Sequence, residues 1–351
     1  MIKENLNVRI LHHHFAVISK LELILKTILI TGADGFLGKN IFLKWQKQFH
    51  LKAFILPENK NAFQHFLANN AISADVIAGK FSDSTALASA LENAHYVIHC
   101  AGNMLGAKWD RYFSANVESV RLLLDKIPSS VERIVLISSQ AAQGPSPDHK
   151  KITIDTPSAP LSFYGKSKLL GETIALEHKT TCPITILRPC SFFGPFDKSF
   201  LDIFKMAKKG TFGTLFDKEK FFQLLYVDDL IAAIALALKD TAFRSKYFVA
   251  PAEVLSWQNF YDALVEITGK KLLWVNLPPF VARIYLKFFD LIEIASGKPQ
   301  ILGHDKARDM SQKYWICDST PFIDKFAFKP QFSFRDGVQQ TWMWYNEKKW
   351  I

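Results

Sequence analysis

With 351 residues, 49% hydrophobic and 22% charged, the chain is long enough to bury a full core and too apolar to be disordered. Its formal charge of +10 favours anionic partners such as a dinucleotide, an acidic metabolite or a membrane surface, whereas the scattered lysines and the lack of a basic helix argue against nucleic acid. No apolar run approaches the roughly 20 residues that span a bilayer, and Cys100, Cys182, Cys190 and Cys317 have neither Cys-x-x-Cys nor metal-ligand spacing, so they read as reduced thiols of a cytoplasmic protein.

Residues 1–26 precede the first clear strand and read as an N-terminal extension. The consecutive His12, His13 and His14 cannot all face one ion, so no metal site is expected there, and Glu22 and Lys26 break up the apolar stretch that a secretory signal would need. Thr27–Thr31 is then a strand, followed by Gly32-Ala33-Asp34-Gly35-Phe36-Leu37-Gly38 and apolar residues at helical spacing to Phe49. Strand, glycine-rich turn and helix in that order form a phosphate-binding corner. Gly32 supplies a special backbone angle, Gly35 admits a pyrophosphate to the main chain, and Gly38 lets helix and strand touch. The N–H groups of the first helical turn, at Phe36 and Leu37, face the anion.

Further strands are predicted at Leu51–Leu56, Asp75–Phe81, Tyr96–Ala101, Arg133–Ser138, Ile184–Arg188 and Tyr247–Ala250. Helices fall between them at Asn61–Ala68, Ser84–Leu91, Trp109–Lys126, Tyr164–His178 and Leu230–Leu238. This alternation predicts an α/β fold, a doubly wound parallel sheet of Rossmann type with ligands at the carboxyl ends of its strands. After Pro195 the pattern becomes irregular and aromatic, with a helix opened by Ser256 and closed by Gly269, a short strand Leu272–Val275 and a helical C-terminus. We read residues 27–190 plus 225–251 as the dinucleotide-binding domain. Residues 191–224 plus 252–351 form a smaller, discontinuous substrate domain.

Tyr164 and Lys168 stand at i and i+4, on one helical face. A phenol with a pKa near about 10 is a poor acid–base group at neutral pH, and an adjacent ammonium favours its phenolate, so the pair suits a proton shuttle to a carbonyl or carbinol. Ser139 follows the fifth strand and offers a hydroxyl at the ligand edge of the sheet.

The glycine corner, His99-Cys100-Ala101-Gly102, Ser139, Tyr164-x-x-x-Lys168, Arg188-Pro189-x-x-x-Phe193-Gly194-Pro195 and Val227-Asp228-Asp229 occur in the order seen in extended short-chain dehydrogenases/reductases, which the chain resembles from Thr27 to its C-terminus. This is the group also called the NAD-dependent epimerase/dehydratase family, and in character the chain resembles its 3β-hydroxysteroid dehydrogenase-like branch. The resemblance implies NAD or NADP as cofactor, held by Gly32, Gly35, Phe36, Leu37, Gly38, Glu58, Ala101 and Lys168. It implies Tyr164 as general acid/base, Lys168 as the group that lowers its pKa, Ser139 as partner of the reacting oxygen and Asn116 as support for a proton-relay water. A homodimer built on the Trp109–Lys126 and Tyr164–His178 helices is a further implication.

The departures from the family pattern concern the ligand. Glu58 suits an unsubstituted ribose and Lys60 a 2′-phosphate, so NAD and NADP both remain open. Lys80 stands where the family has an Asp near the adenine. Gln140-Ala141 after Ser139 lacks the acidic pair of dehydratases. Ser191 and Phe222 replace an Asn and the diphosphate-binding Arg of many sugar-nucleotide enzymes, and Phe192, Phe193, Phe212, Phe216 and Phe222 offer apolar surface. Ser139, Gln140, Ser191, Phe192 and Phe222 are therefore the expected substrate contacts. The reading is an oxidoreductase acting on a bulky, largely apolar, sterol- or lipid-like small molecule. A nucleotide-sugar epimerase with retained NAD is the alternative, and a non-catalytic dinucleotide-binding protein a third class that the Ser139–Tyr164–Lys168 set disfavours. After Pro278, the residues Arg283, Lys287, Asp290 and Glu293 fall on one polar stripe of an apolar helix. It reads as a helix packed on the substrate domain, with a lid or a membrane-surface helix, and so peripheral membrane contact, as the sharper options.

Overall fold

Seven short runs of β-branched and aliphatic residues pair side by side in the computed structural model, which describes residues 26–106, 108–216, 218–296 and 303–351. The expected N-terminal extension with His12 to His14 lies outside the described residues, apart from Lys26. The strands are β1 (Thr27–Thr31), β2 (His50–Ile55), β3 (Asp75–Ala78), β4 (Tyr96–His99), β5 (Arg133–Ile137), β6 (Ile184–Pro189) and β7 (Arg244–Val249). All pair in parallel, in the order β3-β2-β1-β4-β5-β6-β7. Every residue of β1, β5 and β6 is buried, as a sheet covered on both faces requires. The strand order reverses between β1 and β4, which opens a crevice at their carboxyl ends.

The helices are α1 (Phe36–Trp45), α2 (Lys60–Asn69), α3 (Ser84–Leu91), α4 (Trp109–Phe113), α5 (Ser119–Lys126), α6 (Phe163–Glu177), α7 (Leu201–Lys208), α8 (Val227–Ala237), α9 (Trp257–Thr268), α10 (Pro279–Ser296), α11 (His304–Met310), α12 (Thr320–Phe326) and α13 (Phe334–Glu347). Ser162 caps α6 by accepting the Gly165 N–H at 3.0 Å. Ser256 and Asn259 form a capping box on α9, and Gly269 ends it at φ +64°, as its sequence signals predict.

Four expectations need correction. β3 stops at Ala78 rather than Phe81: Gly79 sits where a Cβ would come within 2.5 Å of the Ala86 Cβ, and Phe81 leaves the strand to pack edge-on against Phe54 and His99. The helix expected over Trp109–Lys126 is broken by a π-helical turn at Ser114–Glu118. α8 begins at Val227, so Asp228 and Asp229 occupy its first turn, where the helix dipole favours acidic side chains. The fourth correction concerns α10. Only part of it packs inward, with Ala282, Leu286 and Glu293 buried, while Phe280, Ile284, Phe288 and Leu291 are exposed.

Beyond the main sheet, Ser191–Phe193 pairs with Leu224–Tyr226, Phe221–Phe222 with both Leu255–Ser256 and Tyr314–Trp315, and Thr211–Leu215 with Leu273–Leu277. The largest apolar cluster runs unbroken from Ile28 and Ile30 in β1 to Phe260 in α9 and Phe334 and Tyr345 in α13. The C-terminal helices are thus held against the sheet by shared core.

Candidate active site

The glycine corner is built as its spacing implies. Gly32 has φ +68°, and a Cβ there would lie 2.7 Å from Ala101 Cα, so the loop after β1 touches the loop after β4. A Cβ on Gly38 would sit 2.5 Å from both Cα and O of Ala33. Gly35 differs: its φ of −75° suits any residue and it is exposed. A Cβ on Gly35 would lie 3.2 Å from the Gly32 carbonyl oxygen, within the turn of the corner. Gly35 is the N-cap of α1 and contributes no side-chain cap, so the amides of Phe36 and Leu37 stand at a helix N-terminus suited to a pyrophosphate. The residues present fit a dinucleotide.

β5 and α6 bring the reacting groups together. Ser139 continues β5 and accepts the Ala141 N–H at 3.1 Å, opening a short 3-10 turn, Gln140–Ala142. Tyr164 lies in the first turn of α6. Burial raises its phenol pKa, the adjacent Ser139 side chain pulls it back down, and the Asp309 carboxylate raises it further. Lys168 donates from Nζ to the Ile137 carbonyl at 2.6 Å. Burial lowers its pKa to about 8, opposed by Glu172 and Cys100. The ammonium is drawn to Ile137 and Glu172, and burial dominates the phenol.

Behind Lys168 lies a buried ionic network. Arg188 grips Glu172 with two parallel bonds, Nε to Oε1 at 2.8 Å and Nη2 to Oε2 at 2.6 Å, and reaches Gln143 with Nη1. The Ser138 hydroxyl donates to Glu172 Oε1. Both members of the ion pair are fully enclosed. Such pairs add little stability compared with apolar packing but are very costly to break on one side, which suits a device that fixes where Lys168 points.

Asn116 occupies the π-helical turn, and its side chain makes three hydrogen bonds among the described residues. Nδ2 donates to the Asn103 carbonyl and to Ser167 Oγ, both at 2.8 Å, and Oδ1 accepts the Asn103 N–H at 2.8 Å. It therefore ties the loop after β4 to α6. α6 approaches the same turn so closely that a Cβ on Gly171 would come within 2.3 Å of Asn116 O. A π turn commonly marks a functional site.

Next to it, His99 is buried and hydrogen-bonds Thr31 Oγ1 through Nδ1 at 2.8 Å. Burial, with Lys168 adding to it, lowers its pKa to about 3, so it is a neutral structural link between β4 and β1.

The remaining expected contacts are spread around the crevice. Ala101 adjoins Gly32. Glu58 is exposed in the turn Pro57–Asn59 that ends β2. Phe192 stacks on Phe36 of the glycine corner at 5.2 Å. Ser191 is exposed beside it, and Phe222 packs 4.9 Å from Trp257. Gln140 is buried, and its Nε2 has no partner among the described residues.

Sequence reasoning missed three groups. Glu172 was within reach of it, since it follows Lys168 by four residues on the same face. Asn59, whose Nδ2 holds Asp34 Oδ2 at 2.6 Å, and Asp305, which binds the start of α6, are brought in by tertiary contacts that leave no local signal. Among the described residues no group of three or more His, Cys, Asp or Glu is arranged to hold a metal.

Residues 28–249 match the NAD dependent epimerase/dehydratase family. The chain is 22% identical to the ceramide reductase of Caulobacter vibrioides, an alignment covering 92% of this chain and 96% of that one. It is 29% identical to a UDP-glucose 4-epimerase of Yersinia pestis, covering 91% and 97%. The Bacillus cereus UDP-glucuronic acid 4-epimerase, solved with NAD, superposes with a TM-score of 0.74 at 20% identity, over 92% of this chain and 99% of that one. Glycine corner, sheet order and a match spanning β1 to β7 agree: the chain belongs to the NAD-dependent epimerase/dehydratase family.

Proposed function

We propose that this chain is an NAD(P)-dependent oxidoreductase that moves a hydride to or from a carbonyl or alcohol carbon of a bulky, largely apolar, lipid-like substrate. The observation that carries this is Phe222. Where the resemblance expects a cation for a sugar-nucleotide diphosphate, the chain has Phe222, its ring packed on Trp257 at 4.9 Å, and a buried diphosphate needs polar partners. The stack of Phe192 on Phe36 extends apolar surface toward the cofactor corner, and the end-to-end likeness to a ceramide reductase points the same way.

In this reading the nicotinamide supplies or accepts the hydride. The Phe36 and Leu37 amides would hold the pyrophosphate beside Gly35, and Lys168 would hold the ribose. In the reductive direction the Tyr164 O–H gives its proton to the substrate oxygen as the carbonyl becomes an alcohol, while Ser139 hydrogen-bonds that oxygen. Burial raises the phenol pKa, so Tyr164 carries this proton at neutral pH, and a substrate oxygen that gains negative charge on hydride arrival draws it off.

The alternative, a nucleotide-sugar epimerase with retained NAD, has its own support in the equally complete likeness to UDP-glucose 4-epimerases. One panel separates the two. Hydroxysteroids, alkyl ketones, hydrophobic aldehydes and a ceramide with its oxo form are assayed for cofactor-dependent absorbance change, and UDP and UDP-sugars for thermal protection in the presence of NAD. Turnover of an apolar member without protection by UDP-sugars is the expected result. Protection by UDP or UDP-glucose, with no apolar turnover, replaces this reading with the epimerase.

A further inference from the structure

α10 is built the wrong way round for a helix of a globular domain. At about 100° per residue, Phe280, Val281, Ile284, Tyr285, Phe288 and Leu291 share an arc of about 140°, and every one is exposed, Phe280 at 75% and Leu291 at 62%. Buried residues occupy the opposite side: Ala282, Leu286 and Glu293. Single exposed apolar residues are ordinary, but a contiguous face of six marks an interaction surface. The strand that leads into the helix adds exposed Leu273 and Val275.

The charges on the helix are sorted by side. Arg283 and Lys287 are exposed along one edge of the apolar arc, whereas Asp290 is half-buried and Glu293 is buried with its carboxylate 3.6 Å from Arg111. Exposed Lys270 and Lys271 stand just before the strand. An apolar arc bordered by cations, with the acids turned inward, is the pattern of a helix lying in a lipid interface. The whole chain adds a charge of +10. A neutral apolar partner would leave these cations without a role.

We propose that α10 docks this protein on an anionic lipid surface, with Phe280, Ile284, Phe288 and Leu291 entering the acyl boundary and Arg283 and Lys287 meeting the headgroups. This deepens the lipid-substrate reading and gives it a route of access. Arg111, of α4, joins α10 to the elements around Tyr164, and Asp305 of the following α11 binds the backbone of Phe163. Docking therefore takes place on elements that are packed against the catalytic helix.

The test is co-sedimentation of the full chain with vesicles of phosphatidylcholine alone and of phosphatidylcholine with phosphatidylglycerol. Wild type is expected to bind the anionic vesicles preferentially. Arg283→Gln with Lys287→Gln should weaken that binding by about fivefold for each charge removed. Ile284→Glu with Phe288→Glu should lower it by at least about tenfold, with an unchanged melting temperature because both side chains point outward. No preference of wild type for anionic vesicles, or unchanged binding by both double variants, overturns the proposal. So does a dimer in light scattering that Ile284→Glu with Phe288→Glu converts to monomer while vesicles are ignored, since a second copy would then cover the face. Because sedimentation reads no turnover, a failure here is distinct from a failure of the substrate reading, which is measured by cofactor-dependent absorbance change without vesicles.

Discussion

Asp305, at the start of α11, accepts the backbone N–H of Phe163 with both carboxylate oxygens, at 2.9 and 2.8 Å. A residue 142 positions away thereby closes the N-terminus of the helix whose next residue is Tyr164. The negative charge also faces the positive end of the α6 dipole. Asp305→Ala should cost about 2 kcal/mol of stability and lower turnover by about tenfold to a hundredfold through misplacement of Tyr164, with dinucleotide affinity kept. Urea unfolding, steady-state rates and nicotinamide fluorescence read the three separately.

Tyr164→Phe keeps the ring and removes the transferable proton. Turnover should fall by about a hundredfold to ten-thousandfold while the dinucleotide still binds. Ser139→Ala should give a smaller loss and leave the fold intact, since among the described residues the only main-chain partner of its hydroxyl is the Ala141 N–H. Near-normal turnover in Tyr164→Phe would remove this residue from the mechanism.

Gly35 and Gly38 should fail in opposite ways. Gly35→Val has a permitted backbone and brings its Cβ to 3.2 Å from the Gly32 carbonyl oxygen, so it should lower the melting temperature only slightly and abolish dinucleotide binding. Gly38→Ala forces a methyl to within 2.5 Å of Ala33 and should cost about 1–3 kcal/mol by overpacking. Thermal unfolding with and without NAD and NADP separates the two.

His99 makes stability depend on pH. Its pKa in the folded protein, about 3, lies below the ordinary imidazole value of 6.5, so the unfolded chain takes up the proton first. The neutral, buried form is fully accommodated above pH 6.5. Stability should then fall by about 1.4 kcal/mol per pH unit on acidification below that point. Urea midpoints between neutrality and pH about 5 should show this slope in wild type and a shallower one in His99→Gln; equal slopes would assign the dependence to other groups.

Homodimerisation through α5 and α6 remains our expectation for assembly. Leu170 and Leu176 are exposed on α6, and a charge at either, Leu170→Glu or Leu176→Glu, should shift a dimer to monomer in light scattering at micromolar concentration. A monomeric wild type counts against it.

The sequence by itself determined the sheet, the glycine corner and the helix that pairs Tyr164 with Lys168, because these depend on local periodicity: alternation of strand and helix, glycine spacing along a turn, and the i, i+4 relation. Even helix ends obeyed local chemistry where a cap was present, at Ser256 and Gly269. Tertiary structure decided the rest. The π turn at Asn116 is set by its bonds to Asn103 and Ser167, and the direction of the Lys168 ammonium by the Ile137 carbonyl and a Glu172–Arg188 pair that joins α6 to β6. The outward turn of α10 also lay beyond the pattern, since an amphipathic period says that a helix has two faces but not which one meets the protein. That choice belongs to packing, here to Ala282 and Leu286 against Phe216 and Ala307, and it exposes the face that periodicity would have buried.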